Sequence, residues 1–153
     1  MEKTLIIIKP GAIQRDLSGE IIRRFERKGL QLCGLKMMQL DEDILNEHYA
    51  HLIGRSYFPL ITSSMMRTPV IVCCWKGYDA VEVARFMTGA TNGRKAELGT
   101  IRGDFSVSIQ ENIIHTSDSV ENAEIEIARF FKPNEIFEFK KSSASILYAE
   151  YER

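Results

Sequence analysis

Leu5-Ile6-Ile7-Ile8-Lys9-Pro10, near the start of a chain of 153 residues, is the stretch that decides the fold. Four consecutive apolar residues predict a strand that is covered on both faces, because such a strand has no polar face to turn toward water. Proline cannot continue a ladder of backbone hydrogen bonds, so Pro10 ends the strand and leaves Lys9 at its tip. We therefore expect a central strand with packed layers on both sides.

Strands and helices alternate along the rest of the chain. Helices are predicted where apolar residues recur at helical spacing after a possible N-cap, at Ser18, Asp41, Asp79 and Ser119. The last of these helices is expected to face the core with Val120, Ala123, Ile127 and Phe130. A short helix is expected within residues 55–66, and further strands at residues 30–40, from Pro69 and just before His115. Residues 88–99 predict a long loop, and Arg102 is placed in a second, glycine-flanked loop.

This order of elements favours an α+β fold. Four strands with helices after the first and third fit a ferredoxin-like βαββαβ sandwich, with a four-stranded antiparallel sheet, added helices and a long loop. A doubly wound parallel sheet is the alternative. It lacks support, because no G-x-G-x-x-G follows the first strand and no P-loop motif occurs. The length predicts a single domain over residues 1–153.

Composition narrows the class of protein. Lys and Arg number 20 against 21 Asp and Glu, so the net charge of −1 argues against an obligatory nucleic-acid or membrane-surface partner. No apolar window approaches the length of a transmembrane helix, and the N terminus predicts a strand and not a signal peptide. Three cysteines, two of them adjacent in an apolar run, predict reduced thiols in a cytoplasmic protein.

A candidate nucleophile is His115, within Asn112-Ile113-Ile114-His115-Thr116-Ser117-Asp118. An unperturbed imidazole is mostly neutral near pH 7 and offers a lone pair without a separate base. The alternative is a core histidine with both ring nitrogens hydrogen-bonded. A nucleophilic imidazole needs an acceptor on its second nitrogen, and Glu126, two turns into the following helix, is the candidate, with Ser117 able to bridge.

Three cations come from separate segments, as a polyphosphate site requires. They are Lys9, Arg85 and Arg102, and the alternative for each is solvated surface charge. Thr91 and Asn112 add neutral groups suited to phosphate and ribose hydroxyls. The sequence therefore predicts phosphoryl transfer through a histidine. A zinc site built on His48-x-x-His51 is disfavoured, because the cysteines lie in a strand and no HExxH pattern occurs.

Several segments together resemble the nucleoside diphosphate kinase family over nearly the whole chain. The most specific are Gly99-Thr-Ile-Arg-Gly-Asp-Phe105 and Asn112-Ile-Ile-His-x-Ser-Asp-Ser119. Residues 4–10, 19–26, 47–49 and 131–133 also match. The resemblance implies a ping-pong exchange of the terminal phosphate between nucleoside triphosphates and diphosphates, with low base specificity and with Mg²⁺ carried by the nucleotide. It also implies a homo-oligomer, with a hexamer favoured over a tetramer.

The resemblance also implies roles for individual residues. His115 corresponds to the phosphorylated residue, and Lys9 and Tyr49 to its companions near the transferred phosphate. The phosphate ligands correspond to Arg85, Thr91 and Arg102, and the sugar ligands to Asn112 and Lys9. Tyr57 and Ile109 correspond to the two sides of the base slot. The supporting pair behind the histidine corresponds to Glu126 and Ser117.

Thr116 departs from the glycine or alanine usual after the histidine in this family. A β-branched residue would be strained if the backbone there needed a positive φ. Two rival functions follow from the sequence. One is a nucleotide-binding scaffold that has lost turnover, and the other is a nucleic-acid-binding protein, which the near-neutral charge disfavours.

Overall fold

A four-stranded antiparallel sheet forms the centre of the computed structural model, which describes residues 1–152. The strands are β1 (Glu2–Ile8), β2 (Gln31–Met38), β3 (Val70–Gly77) and β4 (Ile114–Thr116), in the order β2-β3-β1-β4. Each neighbouring pair is antiparallel. The ferredoxin-like expectation is therefore confirmed, and the parallel alternative is wrong.

Eight helices surround the sheet in the described part of the chain. They are α1 (Pro10–Ile13), α2 (Ser18–Lys28), α3 (Glu42–His48), α4 (Phe58–Met65), α5 (Ala80–Thr88), α6 (Ile101–Phe105), α7 (Val120–Phe130) and α8 (Ala144–Leu147). Single 3-10 turns lie at Ala50–Leu52, Gly93–Lys95, Pro133–Glu135 and Glu150–Glu152. Among residues 1–152, none of these helices combines the length and apolar character that crossing a membrane requires.

Strand β1 is buried on both faces, as its sequence predicts. Ile6 and Ile8 pack with α2, α5 and α6 around the stacked rings of Phe25 and Trp75, whose centroids are 5.4 Å apart. On the opposite face, Leu5 and Ile7 belong to a second core formed with α3, α4 and α7. The register pairs Ile7 with His115, so the candidate nucleophile points to the second face.

Two of the predicted helix caps are confirmed. The Asp41 carboxylate accepts a hydrogen bond from the Ile44 N–H at 3.0 Å, and the Ser119 hydroxyl accepts one from the Asn122 N–H at 3.1 Å. These contacts satisfy backbone donors that the first turn of a helix leaves unpaired.

The caps predicted at Ser18 and Asp79 are wrong. Ser18 is the first residue of α2, and no side chain caps that helix. Asp79 has a φ of 49°, which turns its side chain away from the cap position. Instead, the Glu2 carboxylate of β1 accepts the hydrogen bond from the Val81 N–H at 2.9 Å. Because the capping side chain comes from another element, the sequence around α5 does not predict this cap.

Two expectations about side chains and loops are also corrected. Val120, the first residue of α7, is 37% exposed, whereas Ala123 and Phe130 are buried and Ile127 is partly buried against the second core. Arg102 lies on α6 and not in a loop. That helix has five residues and includes a glycine, so it is too short to show a periodic pattern. The long loop at residues 88–99 is present and includes one 3-10 turn.

Gly103 allows α6 to lie against the preceding loop. A Cβ atom at this position would overlap the backbone carbonyl of Glu97. We predict that Gly103→Ala lowers the free energy of unfolding by about 2 kcal/mol, because the loop or the helix must move. Urea denaturation measures this change.

The matched control is Gly19→Ala in α2, where a Cβ atom would meet nothing within 4 Å. Alanine is the better helix former, so this variant should be unchanged or more stable by up to ~1 kcal/mol. Equal stability of the two variants would contradict the close approach at Gly103.

Candidate active site

The imidazole of His115 is held from behind by a carboxylate. Its Nε2 lies 3.0 Å from Glu126 Oε1, and the Ser117 hydroxyl donates to Glu126 Oε2 at 2.6 Å. Burial alone would raise the pKa of Glu126, but the hydrogen bonds from His115 and Ser117 outweigh it and keep the pKa below its ordinary value. The carboxylate therefore stays ionised beside the ring and contacts it directly, without Ser117 as a bridge.

Ser117 fixes this arrangement to the central strand. Its side chain is fully buried, and its hydroxyl accepts a hydrogen bond from the Leu5 N–H at 3.1 Å. Its own N–H donates to the Leu5 carbonyl at 3.2 Å. Since Ser117 also donates to Glu126, it links the carboxylate to β1, a strand buried on both faces.

Lys9 and Asn112 lie together on the other side of the site. The Lys9 ammonium donates to Asn112 Oδ1 at 2.6 Å. The Asn112 amide donates in turn to the carbonyls of Thr91 and Ile109, each at 3.0 Å. One buried amide thus joins the tip of β1, the long loop and the segment that precedes β4. Burial, and then the nearby Arg102, lower the pKa of Lys9 to about 7.

Arg102 is buried and braces the backbone around the site. Its guanidinium donates to the carbonyl of Gly89 at 2.7 Å and to that of Ile114 at 2.8 Å. Its Nε has no hydrogen-bond partner among residues 1–152. Burial, together with the neighbouring Arg85, lowers the pKa of Arg102 to about 10, so the side chain remains cationic at neutral pH.

The positive φ that would strain Thr116 is not found at this position. Thr116 lies in regular β4, and among the described residues the positive φ nearest to His115 belongs to Ile113, at 61°. This conformation is unusual for a β-branched residue and marks a sharp turn just before β4. The Ile113 carbonyl accepts from the Lys9 N–H at 3.0 Å, which helps to hold the turn.

A cleft of about 570 Å³ opens in front of His115. It brings together nine of the residues that the sequence singled out: Lys9, Tyr49, Tyr57, Arg85, Thr91, Arg102, Ile109, Asn112 and His115. Glu126 and Ser117 lie behind the histidine, outside the cleft. Tyr57 and Ile109 are exposed at the rim, whereas Tyr49 is buried and burial raises the pKa of its phenol.

Sequence reasoning missed a contact across the cleft. The Glu111 carboxylate accepts from the Ser64 hydroxyl at 2.8 Å and from Arg67 at 3.0 Å, and Gln110 donates to the Leu60 carbonyl at 3.2 Å. These bonds tie α4 to the segment that carries Ile109. No sequence pattern indicates them, because the partners are far apart in the chain and mostly at the surface.

His48 is a further residue whose place beside His115 sequence reasoning missed. Its ring centroid lies 4.6 Å from that of His115, with the two planes at 74°. Its Nδ1 is 3.3 Å from an Arg129 nitrogen and 3.8 Å from Glu126 Oε1. The signal was available, because His48 falls on the same helical stripe as Ile44 and Leu45.

Two histidines and a carboxylate, His48, His115 and Glu126, come close enough to resemble a metal site. The imidazole nitrogens do not suit Mg²⁺, which prefers oxygen ligands, and the cationic Arg129 lies against His48. We therefore treat the group as support for His115. His51, the other half of the zinc motif, is exposed, and it does not join the buried His48 in a metal-like group among the described residues.

Comparisons with known proteins agree with this geometry. A family model described as nucleoside diphosphate kinase matches residues 2–136. The nucleoside diphosphate kinase of Parabacteroides distasonis is 57% identical over 152 residues, covering 99% of each chain. The chain belongs to the nucleoside diphosphate kinase family.

Solved structures of this family share the fold. The halophilic nucleoside diphosphate kinase from Halobacterium salinarum, solved in complex with CDP, has a TM-score of 0.94 at 37% identity and covers 97% of this chain and 99% of its own. The enzyme from Encephalitozoon cuniculi has a TM-score of 0.93 at 42% identity, covering 97% of this chain and 100% of its own. Human nucleoside diphosphate kinase A is 46% identical over 147 residues, 96% of this chain and 97% of that protein. As a member of this family, the chain is a kinase that binds nucleotides.

Burial of His48 predicts a specific loss of stability in acid. Burial, and then the neighbouring His115, lower its pKa in the folded protein to about 3, against 6.5 for the ordinary side chain. Between pH 6.5 and pH 3, the unfolded chain carries a proton on His48 that the folded chain does not. The free energy of unfolding therefore has its full value above pH 6.5 and falls as the pH drops toward 3. Wild type should lose about 1.4 kcal/mol per pH unit below 6.5 relative to His48→Leu.

Urea denaturation between pH 7 and pH 4 measures this difference. The control is His51→Leu, which removes an exposed histidine of the same segment and should leave the slope of wild type unchanged. Parallel pH profiles of wild type and His48→Leu would contradict the shifted pKa of His48.

Proposed function

We propose that this enzyme transfers the γ-phosphate of a nucleoside triphosphate to a nucleoside diphosphate through a phosphohistidine at His115, in a ping-pong reaction. One observation carries the proposal: the His115 ring lines the cleft while its Nε2 is engaged by Glu126. In a neutral imidazole, donation from one ring nitrogen to a carboxylate fixes the tautomer, and the other nitrogen then carries the lone pair that a nucleophile needs.

In the first half of the reaction, the Nδ1 lone pair of His115 attacks the γ-phosphorus. The bond between Nδ1 and phosphorus forms as the bond from phosphorus to the β,γ-bridging oxygen breaks, and the electron pair leaves with the diphosphate. Positive charge develops on the imidazole, and the ionised Glu126 at 3.0 Å stabilises it. In the second half, a terminal oxygen of another diphosphate attacks the same phosphorus and releases His115.

Cations and neutral donors in the cleft have separate roles in this scheme. Transfer spreads negative charge over the oxygens of the phosphoryl group, so catalysis depends mainly on positioning and electrostatics. Arg85 and Arg102 suit bidentate phosphate contacts, with Thr91 as a neutral ligand. Lys9 and Asn112 already share a hydrogen bond at the place where sugar hydroxyls would lie. Tyr49 stands near the transferred phosphate, with its ring centroid 6.5 Å from that of His115.

The base is proposed to lie between Tyr57 and Ile109 at the rim of the cleft. Stacking on an aromatic face contributes about 1–3 kcal/mol for any base. Both side chains are exposed, and stacking uses the flat face of a base and not its hydrogen-bonding edge. This arrangement supports low base specificity.

Mg²⁺ is proposed to enter as part of the nucleotide substrate. The side chains that line the cleft include no aspartate or glutamate among residues 1–152. Because Mg²⁺ is held by oxygen ligands and often by substrate phosphates, this lining fits an ion coordinated by the nucleotide and not by protein carboxylates.

Labelling with [γ-³²P]ATP tests the proposal. Wild type should give an acid-labile, base-stable phosphoprotein that either ADP or GDP discharges, because the diphosphate accepts the phosphoryl group and its base is held only by stacking. His115→Asn should remove the label, since the amide side chain offers no nucleophilic ring nitrogen. The bound radioactivity is counted after rapid gel filtration.

The matched control is His51→Asn, an exposed histidine that should keep the label at the wild-type level. Label that persists in His115→Asn contradicts the assignment of His115. Nucleotide binding without label in wild type would favour the scaffold that binds nucleotides but does not turn them over.

We also infer that residues 1–153 act as a single domain in the cytoplasm and form a homo-oligomer, with a hexamer favoured over a tetramer. The edge strand β2 exposes Leu35 (51%) and Met37 (59%), apolar surface that a second subunit would cover. The described cysteines are reduced and buried, which fits a reducing compartment.

A further inference from the structure

His48 is enclosed by the groups that surround the nucleophile. It is the last residue of α3, and its side chain is 1% exposed. The rings of Tyr49 and His115 lie 4.6 Å away, and that of Phe130 lies 5.2 Å away, all three in edge-to-face geometry. The His115 imidazole therefore has a flat aromatic neighbour on the side toward α3.

The polar contacts of His48 fix it in a neutral form. Arg129 carries only hydrogen-bond donors, so the contact at 3.3 Å requires His48 Nδ1 to be the acceptor. The proton then lies on Nε2, which is buried and has no partner among residues 1–152. A charged ring would place an N–H against the guanidinium and leave a buried cation without a dedicated acceptor, so the neutral form is strongly favoured.

Arg129 is itself held in place from the surface. Its Nε donates at 2.9 Å to a carboxylate oxygen of Glu47, the residue that precedes His48 in α3. The contact joins α3 to α7, the helix that also carries Glu126. The two helices that flank His115 are thus locked together beside it.

We propose that His48 is a positioning residue: its uncharged ring packs edge to face with the His115 imidazole, holds it in one orientation and leaves the Glu126 carboxylate to His115 alone. The catalytic part of this inference rests on the proposed function. Glu126 Oε1 lies 3.0 Å from His115 and 3.8 Å from His48, so a cationic His48 would compete for the same oxygen. A neutral one does not, and the carboxylate remains available when positive charge develops on the nucleophile.

Two substitutions of His48 distinguish the effect of its flat ring from the effect of the space that the side chain fills. His48→Phe keeps a flat ring, whereas His48→Leu fills the space without one, and both remove the Arg129 contact equally. His51→Leu is the control on the same segment. We expect His48→Leu to slow single-turnover phosphorylation of His115 at least tenfold, because a small misplacement of a nucleophile is enough for such a loss, and His48→Phe to stay within about threefold of wild type. KM for the nucleotide should change less than about twofold in both, because the cleft is untouched.

Nuclear magnetic resonance of the His115 ring nitrogens supplies a readout that does not depend on turnover. In nucleotide-free protein, wild type and His48→Phe should show a single neutral tautomer protonated on Nε2, whereas His48→Leu should show a mixture. Wild-type rate and a single tautomer in His48→Leu overturn the proposal, as does a His48→Phe variant as slow as His48→Leu. If wild-type His115 is never phosphorylated, the proposed function fails, and the tautomer comparison still decides the role of His48.

Discussion

Burial of β1 on both faces is the constraint on which the rest of the structure depends. Its apolar side chains anchor two separate cores, so the strand cannot shift without disturbing both. Its neighbour β4 has only three residues, and it takes its position from hydrogen bonds to β1. The candidate nucleophile therefore lies on a short strand whose position is set by a strand that is packed into both cores.

Hydrogen bonds of buried charges then arrange the site around this strand. Glu126 accepts hydrogen bonds from His115 and Ser117, and Arg102 donates to two backbone carbonyls. A buried charge that lost its partners would be strongly destabilising, so each of these contacts restricts where its neighbours can be. The result is a cleft whose charged groups are held in place by hydrogen bonds before any ligand binds.

Much of this arrangement was predictable from the sequence, and the exceptions have physical reasons. The unbroken apolar run of β1 and the caps at Asp41 and Ser119 are local signals, and the structure confirms them. The cap from Glu2 onto α5 is made across elements, so no local pattern predicts it. The helical stripe with Ile44 and Leu45 places His48 on the buried face of α3, but it does not identify His115 as the neighbour. The condition for strain at Thr116 is not met, because the turn with a positive φ falls three residues earlier, at Ile113.

The roles of the cleft residues rest on their placement and on family membership. The sequence identified the cations, the histidine and its carboxylate by their spacing, and the fold brings them to one place. It did not identify the bonds of Glu111 and Gln110 to α4, because exposed polar residues of this kind are usually solvated.

The depressed pKa of Lys9 couples substrate binding to the proton balance of the solution. With a pKa of about 7, this ammonium is only partly charged near neutrality in the nucleotide-free protein. In the proposed complex, phosphate oxygens beside Lys9 would favour its charged form, so complex formation would draw a fraction of a proton from the medium. The heat measured on titration with nucleotide will then include the ionisation enthalpy of whichever buffer supplies that proton.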